Sequence, residues 1–234
     1  MVQGIYTILS NRKIARDVYE MMLLGDTAAI TAPGQFINIK IDGCFLRRPI
    51  SVCDWNENTI TVIYKVVGEG TAVMSGMAEG TSLDILTGLG NGFDMKKSGM
   101  TPLLIGGGVG TPPMYGLCKR LVSQGTHPCV VLGFASRDDV FYEDKFRSLG
   151  VDIRIATADG SFGIPGFVTD AMTGLSYSYF YACGPIPMLH AVADASASDG
   201  QLSFEERMGC GFGACMGCSC KTKYGNKRIC RDGP

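Results

Sequence analysis

Four cysteines near the end of the chain have the residue type and spacing of a metal-binding segment. Cys210, Cys215 and Cys218 follow the pattern C-x4-C-x2-C, and Cys230 lies further downstream. This spacing is typical of the thiolates that hold a plant-type [2Fe–2S] cluster. Such a loop must fold tightly, and the glycines between these cysteines allow the left-handed backbone angles that tight loops need. The pattern therefore predicts one-electron transfer, with these four cysteines as ligands.

Structural uses of the same cysteines are the alternatives. A disulfide cluster would be possible with ten cysteines in 234 residues, but no secretion signal is recognisable and the five cysteines before residue 200 are scattered singly. A zinc site usually has two C-x2-C pairs or Cys/His pairs, whereas this segment has one C-x2-C and no nearby histidine. Cys220 is a spare cysteine that offers an alternative pair with Cys218. The spacing favours the iron–sulfur cluster over both structural sites.

The overall composition limits the classes of partner. Hydrophobic residues make up 46% of the chain and charged residues 18%, which is enough apolar material for a sizeable core. A net charge of −1 argues against nucleic acid or an anionic membrane as a partner. No apolar run approaches the ~20 residues needed to span a bilayer, so we expect a cytoplasmic protein. With two histidines, imidazole acid–base catalysis is not expected to be the main activity.

The periodicity of apolar residues predicts a barrel at the start of the chain. Residues 1–100 contain short stretches that alternate apolar and polar side chains, such as Gln35–Asp42 and Thr59–Val66. Many short strands bounded by turn residues predict a small antiparallel β-barrel. One short helix is predicted within it, at residues 71–77.

The remainder of the chain has a different rhythm. Strands alternate with helices in residues 101–204, with one helix predicted at 138–148, and this alternation predicts a parallel-sheet α/β domain. Residues 205–234 form the cysteine segment. The predicted fold class is therefore a β-barrel plus α/β, with a C-terminal cluster module.

Two stretches within the predicted barrel could hold a flavin dinucleotide. Each of their residues has an ordinary structural explanation when it is taken alone. Together, a cationic side chain and a Gly-Thr pair opening a short helix predict a pyrophosphate cradle. Ser51 is expected to donate a hydrogen bond to the reacting flavin ring, and Tyr64 to cover its face. The candidate residues are Arg48, Pro49, Ile50, Ser51, Ile63, Tyr64, Lys65, Gly70 and Thr71.

A glycine-rich loop follows the first predicted strand of the α/β domain and opens a helix. Glycines there let backbone amides approach a dinucleotide phosphate, although the loop departs from the G-x-G-x-x-G pattern. A later strand ends in Cys-Gly-Pro at the same edge of the sheet, and Cys183 either fills the core or faces a nicotinamide. The candidate nucleotide-binding residues are Gly106, Gly107, Gly108, Gly110, Thr111, Cys183, Gly184 and Pro185.

The turn after the second predicted α/β strand favours NAD over NADP. In nicotinamide domains such a turn meets the adenosine ribose, and acidic residues there disfavour an additional 2′-phosphate. Asp138 and Asp139 supply acidic groups, whereas the neighbouring Arg137 would favour the phosphate.

The order of these motifs resembles that of the ferredoxin–NADP reductase superfamily. More narrowly, the chain is similar to the electron-transfer subunits of two-subunit, NAD-linked dihydroorotate dehydrogenases. Thr111 departs from this pattern, since an apolar residue is expected there. The stretches that support the resemblance are Leu46–Ser51, Gly88–Phe93, Thr157–Ser161, Gly166–Asp170 and Glu205–Cys210.

The resemblance implies three cofactors and a partner. FAD would lie between the barrel and the nucleotide domain, the [2Fe–2S] cluster on the four cysteines, and NAD at the glycine-rich loop. The partner would be an FMN-containing catalytic subunit that oxidises dihydroorotate to orotate in pyrimidine biosynthesis, in a heterotetramer with two of each subunit. Electrons would pass from FMN through the cluster and FAD to NAD.

Two rival functions remain open at the level of the sequence. One is an NAD(P)H-dependent reductase that feeds an oxygenase, a hydrogenase or a ferredoxin, because residues do not reveal the direction of electron flow. The other is a non-catalytic, zinc-binding interaction module. Since the chain shows no candidate acid–base pair for C–H abstraction, we do not expect it to oxidise dihydroorotate alone.

Overall fold

A computed structural model describes residues 1–223 and 225–233 of the chain. The chain forms two compact units. The first combines Met1–Gly92 with Glu206–Pro234, and the second is Phe93–Glu205. The cysteine segment thus belongs to the same unit as the N-terminal residues.

The first unit contains a closed antiparallel barrel of six strands, in the order β1-β2-β5-β4-β3-β6. Alternation places one set of side chains inside the barrel, where Ile8, Ile37, Ile39 and Val62 are fully or almost fully buried. Closure removes the unpaired strand edges that an open sheet would expose. The predicted barrel is confirmed. Its strands are β1 (Val2–Ala15), β2 (Val18–Leu24), β3 (Phe36–Ile39), β4 (Arg48–Trp55), β5 (Thr59–Lys65) and β6 (Ser82–Leu89).

A short helix, α1 (Glu69–Ser75), connects β5 to β6. It begins two residues before the predicted start at 71 because Gly68, in extended conformation, is its N-cap. Thr71 therefore lies within the first turn of α1, where its Oγ1 accepts hydrogen bonds from the amides of Val67 and Gly68.

The second unit is built on a six-stranded sheet with the order β10-β9-β8-β7-β11-β12, in which every paired strand is parallel. The predicted parallel α/β domain is confirmed, and buried aliphatic residues of the central strands pack against its helices. Its elements are β7 (Leu103–Gly107), α2 (Thr111–Ser123), β8 (Cys129–Phe134), α3 (Glu143–Arg147), β9 (Asp152–Thr157), β10 (Ile164–Pro165), α4 (Val168–Met172), β11 (Phe180–Cys183), α5 (Ile186–Ala195) and β12 (Gly200–Ser203).

The helix predicted at 138–148 is shorter than expected. A 3-10 turn covers Arg137–Asp139, and α3 begins only at Glu143. Tyr142 has a φ of 69°, a left-handed conformation that interrupts a helix. The order of apolar and polar residues in this stretch does not indicate that interruption.

The cysteine segment ends in a two-stranded antiparallel hairpin followed by one helical turn. These elements are β13 (Ser219–Thr222), β14 (Gly225–Arg228) and α6 (Ile229–Asp232). Cys218 immediately precedes the hairpin, and Cys230 lies in α6. In the part of the chain that the structure describes, no helix is both long enough and apolar enough to cross a membrane.

Candidate functional site

The glycine-rich loop lies at the switch point of the parallel sheet. Strand β7 has β8 on one side and β11 on the other, and the chain runs from β7 through α2 to β8. Cys183 at the end of β11 is in register with Gly106 near the end of β7. The carboxyl ends of two strands that diverge in this way form the crevice where α/β sheets bind dinucleotides. The structure thus brings the two predicted nucleotide-binding stretches together.

Close packing explains why this loop is made of glycine. A Cβ on Gly110 would overlap the carbonyl of Cys183 and lie 2.7 Å from the amide nitrogen of Gly184. A Cβ on Gly107 would overlap the sulfur of Met188 and approach Pro185 to 3.1 Å. The loop backbone is therefore held directly against the Cys183–Pro185 turn.

The start of α2 contributes fewer amide donors than an ordinary helix start. Pro112 and Pro113 occupy its first turn and lack a backbone N–H. Thr111, the residue that departs from the expected apolar type, is fully buried, and its Oγ1 has no hydrogen-bond partner among the described residues. Donors to a phosphate would therefore come mainly from the loop before the helix.

Cys183 lies where the sequence placed it, at the end of the strand beside the glycine-rich loop. Burial raises the pKa of its thiol to about 12, and this effect outweighs a hydrogen bond with Ser203, which lowers the pKa. The thiol is therefore neutral at physiological pH. It can pack against a ligand or donate a weak hydrogen bond, and it is not a thiolate nucleophile.

The two acidic residues of the turn after β8 have different surroundings. Asp139 is buried, and its carboxylate accepts a hydrogen bond from Ser136 Oγ at 2.9 Å. Asp138 is exposed. The guanidinium of Arg137 lies 5.4 Å from the ring centroid of Phe162. Asp139 therefore stabilises the turn, and Asp138 is the carboxylate presented to solvent.

The barrel brings two parts of the predicted flavin cradle together. A Cβ on Gly70 would lie 2.6 Å from both Cζ and Nη2 of Arg48, so the guanidinium lies directly over the first turn of α1. Arg48 also donates to the carbonyl of Leu46. The Oγ1 of Thr71 accepts hydrogen bonds from the amides of Val67 and Gly68 at 3.0 and 3.2 Å. Thr71 therefore shapes the turn over which Arg48 lies.

The remaining predicted flavin residues lie on two neighbouring strands. Pro49, Ile50 and Ser51 are half-buried in β4. Ile63 and Tyr64 are buried in β5, and Lys65 ends that strand in an exposed position.

Tyr64 packs inside the barrel. Its ring is 2% exposed and stacks on Tyr19 with the centroids 5.8 Å apart. Its hydroxyl donates to Asn11 Oδ1 at 2.9 Å. Burial raises the pKa of this phenol to about 12, while the hydrogen bond to Asn11 lowers it. The ring contacts the barrel's own side chains, and its predicted contact with a flavin face stays a prediction.

The first two cysteines of the terminal segment form one pair. Cys210 Sγ accepts hydrogen bonds from the amides of Ala214 and Cys215 at 3.2 and 3.4 Å. Cys215 Sγ accepts from the amides of Cys210 and Gly217 at 3.3 and 3.4 Å. Burial raises the pKa of Cys210, but the amide donors outweigh it and bring that pKa down to about 6. This loop therefore stabilises sulfur in the charged form that a metal requires.

The other two cysteines form a second, buried pair. Cys218 Sγ and Cys230 Sγ are 3.2 Å apart, and each residue is 2% exposed. Burial and the neighbouring Cys218 raise the pKa of Cys230 to about 12. Metal binding would have to displace this proton. Cys220, the spare cysteine, lies in β13 opposite Lys227.

The arrangement in pairs fits a two-iron cluster better than a single zinc ion. A structural zinc ion requires four ligands around one point. In a [2Fe–2S] cluster the protein ligands divide between two irons, two to each. The pairs Cys210–Cys215 and Cys218–Cys230 match that division.

The barrel, the parallel sheet and the paired cysteines together define an electron-transfer flavoprotein reductase with the ferredoxin–NADP reductase fold. Residues 104–194 match the family model of the oxidoreductase NAD-binding domain. Residues 205–234 match the model of the iron–sulfur cluster binding domain of dihydroorotate dehydrogenase B.

Full-length relatives identify the family. The chain is 45% identical to the electron transfer subunit of dihydroorotate dehydrogenase B (NAD+) of Bacillus pumilus, covering 100% of this chain and 96% of that protein. It is 44% identical to the subunit of the same name from Fusobacterium nucleatum subsp. nucleatum, covering 97% and 94%. The chain belongs to the family of dihydroorotate dehydrogenase B (NAD+) electron transfer subunits.

Solved structures agree with this fold. An NADH-dependent reduced ferredoxin-NADP oxidoreductase, described in connection with flavin-based electron bifurcation, superposes with a TM-score of 0.88 at 29% identity, over 99% of this chain and 87% of that one. Phthalate dioxygenase reductase superposes with a TM-score of 0.68 at 18% identity, over 88% and 70%.

The comparisons confirm the predicted family and the predicted role as the electron-transfer subunit of an oxidoreductase, in preference to the zinc-binding module. The predicted cofactor set of FAD, a [2Fe–2S] cluster and NAD agrees with them as well. Sequence reasoning missed Met188 and Phe162, which pack against the nucleotide loop and Arg137. Both are apolar residues that no motif marks, and only the fold shows what they contact.

Proposed function

We propose that this chain takes electrons from an FMN-containing, dihydroorotate-oxidising catalytic subunit and delivers them to NAD, in a cytoplasmic assembly with two copies of each subunit. The observation that carries the proposal is the division of the four cysteines into two pairs within the unit that holds the Arg48–Gly70 cradle. When bound, the cluster supplies one-electron transfer, and the flavin converts single electrons into the hydride that NAD carries.

The cysteine segment would hold the cluster on Cys210, Cys215, Cys218 and Cys230. The amides that already point at the sulfurs of Cys210 and Cys215 would remain as hydrogen-bond donors to the bound thiolates. Such donors reduce the negative charge on sulfur and raise the potential of a cluster. The exposed position of Cys215 would give this side of the segment access to a partner.

The barrel would hold FAD. Arg48, placed over Gly70, supplies a fixed positive charge for the pyrophosphate. Half-buried Pro49 and Ser51 follow it on the outer face of the same strand and would line the flavin ring, with the hydroxyl of Ser51 as the donor. The side chain of Ile50 packs against the barrel core, so Ile50 would contribute its backbone. The contribution of Ile63–Lys65 would come from the backbone and from the exposed Lys65.

The second unit would hold NAD at the switch point of its sheet. Amides of Gly107, Gly108 and Gly110 would bind the pyrophosphate, and Cys183 would pack as a neutral thiol near the nicotinamide. Asp138 would bind the adenosine ribose and disfavour a 2′-phosphate.

A comparison of the chain alone with the reconstituted complex tests this function. The flavin- and iron-loaded chain should reduce a dye acceptor with NADH but not with dihydroorotate. Addition of the catalytic subunit should produce dihydroorotate-dependent reduction of NAD. Sustained oxidation of dihydroorotate by the chain alone would contradict the proposal. The proposal would also be contradicted if the chain passed electrons from NADH to a ferredoxin or an oxygenase, while no catalytic subunit coupled it to the oxidation of dihydroorotate.

A further inference from the structure

Strand β3 has a buried polar residue on its outer face. Ile37 and Ile39 point into the barrel core and are 0% exposed, so alternation directs Phe36 and Asn38 outward. Even so, Asn38 is only 1% exposed. The cysteine segment covers it, because a Cβ on Gly211 would lie 2.8 Å from Asn38 Nδ2 and 3.6 Å from Phe36 Cε2.

The side chain of Asn38 reaches a predicted cluster ligand. Its Nδ2 donates to the main-chain carbonyl of Cys210 at 3.3 Å, although the two residues are 172 positions apart in the sequence. The reverse orientation of the amide would place Oδ1 against that carbonyl and cause repulsion. The orientation of Asn38 is therefore determined by Cys210.

The other end of the same amide has no partner. Asn38 Oδ1 is buried and accepts no hydrogen bond from any described residue. A buried acceptor left in this state is unfavourable, and an apolar residue at this position would avoid that cost. Among the described residues, the hydrogen bond to Cys210 is the side-chain contact that favours an asparagine at this position.

The second cysteine pair has a comparable contact from a different part of the barrel unit. Asn91 Nδ2 donates to the carbonyl of Arg231, the neighbour of Cys230, at 2.7 Å. Asn38 and Asn91 thus contact opposite ends of the cysteine segment. This arrangement supplies a second variant, at an exposed asparagine, that acts on the opposite end of the segment.

We infer that Asn38 is a positioning residue for the first cysteine pair. It fixes the backbone of Cys210 on the outer face of β3, and Asn38 itself is in register with Pro49 of the predicted flavin stretch. The inference rests on the proposed ligand set, because it gives Asn38 the task of holding Cys210 and Cys215 where the first iron binds.

The test compares Asn38→Leu, Asn38→Ala and Asn91→Ala in the flavin- and iron-loaded complex. Asn38→Leu keeps the branching of the side chain and removes the donor without burying a charge, and Asn38→Ala removes the same donor with a smaller side chain, so one variant remains informative where the other fails to fold. Removing such an outer partner of a metal ligand should accelerate iron release to a chelator about tenfold and alter the EPR spectrum of the reduced cluster. Asn91→Ala should instead act on the Cys230 end.

Hydrogen exchange in the metal-free chain locates each effect independently of the cluster. Asn38→Leu should lose protection in residues 209–215 and keep it in 226–233, whereas Asn91→Ala should do the reverse. The inference would be overturned if iron release, the EPR spectrum and hydrogen exchange in Asn38→Leu were all the same as in the wild type. If the wild-type chain takes up no iron, the proposed function fails. Loss of protection confined to residues 209–215 in Asn38→Leu would still support the contact between Asn38 and Cys210.

Discussion

The guanidinium group of Arg48 lies directly against Gly70, so close that a Cβ on Gly70 would come within 2.6 Å of its Cζ and Nη2. These residues belong to different elements, since Arg48 begins β4 and Gly70 lies in the first turn of α1. Glycine at position 70 is therefore a steric condition for the position of the arginine. The sequence predicted that both residues contribute to the flavin cradle, but it did not show that they are in direct contact.

Gly70→Ala should weaken FAD binding by displacing Arg48. A charge-assisted hydrogen bond contributes about 1.5–3 kcal/mol, which corresponds to a roughly 10- to 100-fold higher dissociation constant for FAD. Titration of the flavin-free chain with FAD, followed by flavin fluorescence, measures the change. Gly68→Ala is the control, because Gly68 has extended backbone and open space around its Cβ position. Equal weakening in both variants would show that helix capping, not Arg48, is responsible.

Tyr64→Phe should destabilise the barrel and leave FAD affinity unchanged. Loss of the hydroxyl leaves Asn11 Oδ1 without the donor it now has, which should lower the free energy of unfolding by about 1–3 kcal/mol. Urea denaturation measures the stability, and FAD titration measures the affinity. Weaker FAD binding at unchanged stability would instead assign Tyr64 to the flavin site.

Gly110→Ala should impair NAD binding and destabilise the second unit. The added methyl group would overlap the Cys183 carbonyl, and overpacking of this kind costs about 1–3 kcal/mol. The readouts are the dissociation constant for NAD and the unfolding midpoint. Val109→Ala, at an exposed neighbouring position, should leave both close to wild type. A wild-type NAD affinity in Gly110→Ala would mean that the loop binds no part of the dinucleotide.

The elements that could be predicted are those with a local signal. Alternation around Ile37 and Ile39 predicted a barrel strand, and the spacing of Cys210, Cys215 and Cys218 predicted a cluster segment. The interruption at Tyr142 could not be predicted, because tertiary packing holds that residue in a conformation its own type disfavours.

Contacts between distant residues had no signal in the sequence. Asn38 stands in an alternating strand, where a polar residue indicates an outward, solvent-facing side chain. Its burial depends on a segment 172 residues later, and nothing in the pattern of either stretch links the two. The pairing of Cys218 with Cys230 is a similar case, since the spacing predicted a set of four ligands but not which of these cysteines lie next to each other.

Cys230→Ser should remove one ligand of the second pair and therefore change the cluster. Serine oxygen is a poorer iron ligand than thiolate, and Cys218 would keep a neighbour only 3.2 Å away that can no longer provide sulfur. The chain should be isolated with less iron, or with an altered EPR spectrum after reduction. Cys220→Ser is the matched control, since Cys220 lies in β13 opposite Lys227, and its iron content and spectrum should remain close to wild type. The opposite outcome, with Cys220→Ser altering the spectrum and Cys230→Ser leaving it intact, would transfer the fourth ligand to Cys220 and require the hairpin to open when the cluster binds.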